Sequence, residues 1–138
     1  LEFGQMQAST LVRLAELGAI RMTPWRMLLL EGQTQLPDLP DLITDPSDTR
    51  LKISVCTGAP ACQQGLSSTR DIARTLAPHL RDRLHISGCA KGCAHPAASP
   101  VTLTATAQGR FDLIRNGRAS DVPVRRGLSL ADLTSGEL

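Results

Sequence analysis

Four cysteines carry the chemistry that is most legible in this chain. Cys56 and Cys62 stand in VCTGAPACQQG, and Cys89 and Cys93 stand in GCAKGCAHP. No other cysteine occurs among the 138 residues. Four thiols so arranged can form two disulfides, ligate a zinc ion or cage an iron–sulfur cluster. Two disulfides need an oxidising compartment, for which nothing in the sequence argues. Structural zinc sites use knuckles with two to four residues between cysteines. The three residues between Cys89 and Cys93 fit that rule, and the five between Cys56 and Cys62 are loose for it. A cubane cluster has four irons that each need one terminal thiolate, and this chain has four thiols to give. The cluster with its thiolates is anionic, so buried backbone N–H groups should point at the sulfurs. Gly58, Gly65, Gly88 and Gly92 flank the thiols and let the backbone approach closely. Buried, unconnected thiols are the bland reading, and two glycine-flanked loops suit it poorly. Spacing therefore favours the cluster and leaves zinc open.

The elements around the cysteines should bring them together. LKISV, Leu51 to Val55, reads as a short alternating strand that delivers the chain to Cys56. A helix is expected from about Ser68 to Leu80. Ser68 and Asp71 suggest a capping box, Ile72, Leu76 and Leu80 an apolar stripe, and Pro78 a disturbed last turn. The positive end of that helix should lie roughly toward a cluster. Leu84-His85-Ile86 reads as a strand that leads into GCAKGC. VTLTATA, a turn at Gln108-Gly109 and RFDLIRNG read as a β-hairpin, and Ser129 to Asp132 as the start of a last helix. Both thiol pairs thus lie just past strand ends and could meet at one edge of a sheet.

Upstream, Ala8 to Leu17 has helical spacing, with Ser9 or Thr10 as a cap and Gly18 as a stop. IRMTPWRMLLL, Ile20 to Leu30, reads as a strand that Pro24 bends, splits or confines to an edge. Residues 32–49 hold Pro37, Pro40 and Pro46 among aspartates and read as a linker. The fold class is α+β.

Composition is that of an ordinary globular chain, with 41% hydrophobic and 20% charged residues. There is no apolar run long enough for a transmembrane helix and no secretory layout at LEFGQMQAST, so no membrane partner and a cytoplasmic, reducing location are expected. The chain does not begin with Met, which suits a piece processed or cut from a longer protein. Aromatics are limited to Phe3, Trp25 and Phe111, which argues against stacking on nucleic acid. The charge is uneven. Between Gly32 and Thr49 the charged residues are Asp38, Asp41, Asp45 and Asp48, whereas Arg50 to Arg126 holds twelve Lys/Arg against four Asp. That basic half is either a solvated face or a means of neutralising an anionic ligand or cluster.

The C-x5-C…C-x3-C pattern resembles the cluster motif of the sulfite and nitrite reductase superfamily, in which a four-iron cluster lies beside a tetrapyrrole. TPWRMLLL, CTGAPAC, SGCAKGCAHP and DLIRNGRASD together are similar to the precorrin-3B synthase family of the aerobic cobalamin pathway, over roughly Phe3 to Asp121. The resemblance implies an oxidoreductase, a monooxygenase that uses molecular oxygen to convert the tetrapyrrole precorrin-3A to precorrin-3B. It implies that Cys56, Cys62, Cys89 and Cys93 hold a 4Fe–4S cluster, with Cys93 nearest the macrocycle. It also implies a second, non-haem iron, for which three dispersed histidines offer no facial triad. Such enzymes are built from two related halves, and this chain is similar to the C-terminal one. Residues 1–48 match half of a ferredoxin-like domain with its linker, and 49–138 a nitrite/sulfite reductase-type iron–sulfur domain. The N-terminal half of the same enzyme is then a partner, an electron donor is required, and the chain alone should not turn over. Bound sirohaem belongs to the alternative of a reductase half. A zinc-stabilised or electron-transfer binding module is the alternative of another class.

Candidate substrate-binding residues are Lys91, between the last two thiols, and Arg115, Asn116 and Arg118 at the end of the hairpin. A cation beside the cluster suits a substrate rich in carboxylates, which a guanidinium can grip bidentately. Solvated side chains are the plain alternative for each. His95 is expected to hydrogen bond within its loop, with iron ligation as the alternative, and His79 and His85 to be structural. Trp25 is expected in the core, with a ligand edge beside Arg26 as the alternative.

Overall fold

The computed structural model describes residues 1–137. The chain forms two compact units, the first from Leu1 to Asp48 and the second from Thr49 onward. Helices and two separate sheets make it an α+β protein. Among the described residues no helix is long and apolar enough to cross a membrane.

In the first unit, helix α1 runs over Ala8–Leu17 and a hairpin follows, with β1 at Ile20–Met22 antiparallel to β2 at Leu28–Leu30. Neither Ser9 nor Thr10 caps α1, whose N-cap is Gln7. The Thr10 hydroxyl donates instead to the Asp41 carboxylate at 3.1 Å, and the Gln7 N–H donates to the same oxygen at 2.8 Å. That carboxylate ties the proline-rich stretch back onto α1. Pro24, which has no N–H for a ladder, splits the expected long strand into two. The turn between them is closed by the Thr23 N–H and hydroxyl, both donating to the Met27 carbonyl. Trp25 is not in the core. It sits in this turn, past the last ladder pair Met22–Leu28, and is 71% exposed.

The second unit is built on one five-stranded sheet of order β3-β4-β5-β6-β7. Its strands are β3 (Ile53–Val55), β4 (Leu84–Ser87), β5 (Ser99–Ala107), β6 (Arg110–Gly117) and β7 (Arg125–Leu128). β3, β4 and β5 are mutually parallel, whereas β5–β6 and β6–β7 are antiparallel. β3 begins later than expected, because Thr49–Lys52 forms a 3-10 turn. The connection from β3 to β4 carries α2, Arg70–Leu76, which ends in a 3-10 turn over Ala77–His79 where Pro78 interrupts the helical pattern. From α2, Ala73 and Leu76 are fully buried. The hairpin turn falls at Gln108-Gly109, with Gly109 at a left-handed φ of 68°. After β7, Ser129 and Asp132 form a capping box at α3 (Leu130–Asp132).

Register explains the core. Val55, Ile86, Leu103 and Leu113 form one cross-strand row, with Ile53, Leu84 and Val101 on one side of it and the pair Ala105 and Phe111 on the other. All of these are buried. The period of two sends His85, Ser87, Thr102, Thr104 and Ile114 to the other face, and these are buried as well. Thr102 and Thr104 are tolerated there because their hydroxyls donate to the carbonyls of Gly117 and Ala119, each at 2.8 Å.

Candidate metal centre

The topology decides where the cysteines go. β3 and β4 are parallel neighbours, so Val55 and Ser87 end at the same edge of the sheet. Cys56 follows the first strand directly, and Cys89 follows the second after Gly88. The first cysteine loop opens the helical crossover to β4. The second loop, residues 88–98, is itself the crossover from β4 to the parallel strand β5. A parallel connection must return to the opposite edge of the sheet, so this loop crosses the His85–Thr102 face. Gly92 marks the passage: at a φ of 64°, its missing Cβ would stand 3.6 Å from His85 Cε1 and 3.2 Å from Ala119 Cβ. His85 in turn meets the ring of His95 edge-on, with centroids 5.7 Å apart.

All four thiols are free, and all four border one concavity of about 500 Å³. Cys56, Cys62 and Cys89 are half-buried and Cys93 is exposed. The walls between them come from Thr57, Gln63, Gln64, Gly65, Gly88 and Lys91. Backbone bonds hold the two loops to each other. The Cys56 N–H donates to the Ile86 carbonyl at 3.2 Å, and the Leu66 N–H donates to the Gly88 carbonyl at 2.8 Å. The Ser87 hydroxyl donates to the Cys89 carbonyl at 2.6 Å.

Gly88 packs tightly against the first loop. Its N–H donates to Cys56 Sγ at 3.1 Å, and a Cβ there would stand 3.3 Å from the same sulfur and 3.2 Å from the Gly58 Cα. A Cβ on Gly65 would fall 2.6 Å from the Ala59 nitrogen. Such a cradle suits thiolates gathered around an anionic group, because only bare backbone fits between the strands of the two loops. The donor set therefore fits an iron–sulfur cluster in its chemistry. Among the described residues no three His, Cys, Asp or Glu side chains stand close enough together to hold a single metal ion.

The other sequence candidates divide. Lys91 lines the cysteine concavity. Arg115, Asn116 and Arg118 are exposed at the end of β6 and beyond it, outside the residues that line that concavity. Asn116 has a left-handed φ of 50°, and the turn is closed by the Arg118 N–H donating to Asp121 Oδ2 at 2.8 Å. His95 bonds within its own loop, with its N–H to the Gly92 carbonyl at 3.1 Å and its Nε2 3.4 Å from the Ala98 carbonyl.

Two features escaped the sequence reading. The capping box assigned to Ser68 is not formed. The N-cap of α2 is Thr69, with no side-chain cap bond, and the Ser68 hydroxyl donates to the Asp71 carboxylate instead. The polar pair Gln63-Gln64 also faces the thiols, a signal visible in the sequence directly after Cys62.

Over 82 residues the chain is 39% identical to a protein of Sinorhizobium sp named precorrin-3B synthase. The chain is similar to a precorrin-3B synthase. The match takes in 55% of this chain and 18% of the relative, so the chain spans under a fifth of that precorrin-3B synthase. No family model matches.

Proposed function

We propose that Cys56, Cys62, Cys89 and Cys93 hold a 4Fe–4S cluster, and that the chain is a fragment from the C-terminal half of a precorrin-3B synthase-type monooxygenase of cobalamin biosynthesis. The observation that carries this reading is the convergence of four free thiols, from two loops, on one concavity beside Lys91. A single zinc ion needs its donors gathered about one point. Four thiols spread around a concavity suit a group with four separate metal positions. When bound, the cluster would store and pass single electrons.

In this reading the chain's own residues do three things. Gly88 and the backbone around it shield and stabilise thiolate charge. Lys91 offers a cation to a carboxylate of precorrin-3A. The guanidiniums of Arg115 and Arg118, with Asn116, offer further anchors on the basic half. One atom of molecular oxygen enters the macrocycle, and the other is reduced to water by electrons and protons from a donor. Residues 1–48 act as half of a ferredoxin-like domain, and those from Thr49 as the nitrite/sulfite reductase-type domain. The N-terminal half supplies the rest of the substrate site and the non-haem iron. A cytoplasmic setting would keep the thiols reduced.

The test is reconstitution. The chain alone, mixed with precorrin-3A, oxygen and a reductant under turnover conditions, should give no precorrin-3B, and addition of the N-terminal half should restore it. A robust rate from this chain alone would overturn the half-enzyme reading. Sirohaem recovered from the reconstituted protein would replace it with a reductase half.

A further inference from the structure

Cys56 is held at three atoms. Its N–H donates to the Ile86 carbonyl, its sulfur accepts from the Gly88 N–H, and its carbonyl accepts from the Thr69 hydroxyl at 2.7 Å. The first is a backbone bond, and the second uses the cysteine's own sulfur as acceptor. The third depends on a side chain. Thr69 is 1% exposed and stands at the N-cap of α2, where a threonine hydroxyl ordinarily accepts from the helix's own first amides. Here it makes no cap bond and reaches back 13 residues to Cys56. The surroundings leave it little room: a Cβ on Gly58 would stand 2.5 Å from Thr69 Oγ1 and 2.9 Å from the Ser67 carbonyl oxygen. The neighbouring Ser67 accepts the Gly109 N–H at 3.1 Å, which ties the same segment to the β5–β6 turn.

We propose that Thr69 is the positioning residue of Cys56, and that its hydroxyl keeps the Cys56 sulfur against the Gly88 N–H. The purpose of this latch rests on the cluster reading above. An N–H donated to a ligating sulfur draws off negative charge, so it favours the more negative, reduced form and raises the reduction potential. Without the latch Cys56 turns from Gly88, its sulfur is more open to reagents, and the potential falls.

Two measurements test this, on wild type, Thr69→Val and Thr69→Ser. In the metal-free full chain, iodoacetamide labelling is followed cysteine by cysteine by mass spectrometry. Thr69→Val should label Cys56 about fivefold faster, the scale expected for loss of one hydrogen bond, while Cys93 is unchanged and Thr69→Ser stays near wild type. Equal Cys56 rates in all three proteins overturn the proposal. So does acceleration of all four cysteines together, because that is general unfolding. In anaerobically reconstituted protein, Thr69→Val should have a more negative midpoint potential and Thr69→Ser should restore it. An unchanged potential overturns the link to the cluster. Wild type that takes up no iron and sulfide sinks the cluster reading and with it the latch's purpose, while the labelling still decides whether Thr69 holds Cys56.

Discussion

The first cysteine loop folds on itself, whereas the second is laid across a sheet. Within residues 56–69, Cys62 N–H donates to the Gly58 carbonyl, Gly65 N–H to Cys62, and Ala59 N–H to Ser67, all within 3.0 Å. Thr69 then fastens the closed loop to Cys56. The second loop is fixed from outside, by the Ser87 hydroxyl on Cys89, by Leu66 on Gly88 and by the His85 face beneath Gly92. The first pair of thiols is therefore placed by local backbone geometry, and the second pair by the register of the strands. The self-closed loop keeps both its sulfurs half-buried, while the crossing loop carries the half-buried Cys89 and the exposed Cys93, with Lys91 between them on the wall of the concavity.

Substitution of ligands should erase the contrast. Cys62→Ser and Cys89→Ser should each reduce iron from about four per chain to a small remnant, because a cubane needs a thiolate from both loops. Iron retained in full by either variant would show that its loop is not part of the site.

Glycine substitutions should restore the contrast. Gly58→Ala forces a left-handed φ of 66° on a side chain that also meets Thr69 and Ser67, and should cost about 3 kcal/mol in urea unfolding of the metal-free chain. Gly92→Ala has a similar φ but its nearest contact, Ala119 Cβ at 3.2 Å, can yield, so about 1 kcal/mol is expected. The reverse order would show that the second loop is the stiffer one.

The sheet beneath the second loop can be probed next. His85→Ala, at a fully buried site, should cost about 1–2 kcal/mol and speed alkylation of Cys93 more than that of Cys62. Equal acceleration at both cysteines would deny that the loop depends on this face. Lys91→Ala should have the smallest effect. Stability should stay within about 0.5 kcal/mol, while binding of a carboxylate-bearing tetrapyrrole to the reconstituted enzyme weakens roughly threefold, as for one exposed ion pair. Unchanged binding, measured by fluorescence titration, would return Lys91 to solvent.

Much of this was readable from residues in sequence. Strand-ending Val55 and the LHI run before Gly88 place both thiol pairs at strand ends, and Gln108-Gly109 marks the hairpin. Ser129 to Asp132 open the last helix, as read from the residues. What stayed hidden depends on contacts remote in sequence. Thr69 and Ser68 look interchangeable as caps, and only the nearness of the Cys56 carbonyl separates them. Strand β7 is written RRGL, with a single buried residue, Leu128, so no alternation announces it. Trp25 is expected in the core, and the turn at Pro24 puts it outside. That residues 88–98 form a parallel crossover could not be inferred without knowing that β5 pairs with β4.

The most direct test is iron, acid-labile sulfide and zinc content of anaerobically prepared protein, with its visible spectrum. The account predicts about four irons and four sulfides per chain, lost on replacing Cys56, Cys62, Cys89 or Cys93. About one zinc per chain and no sulfide would contradict it, and GCAKGCAHP would then be half of a structural zinc site.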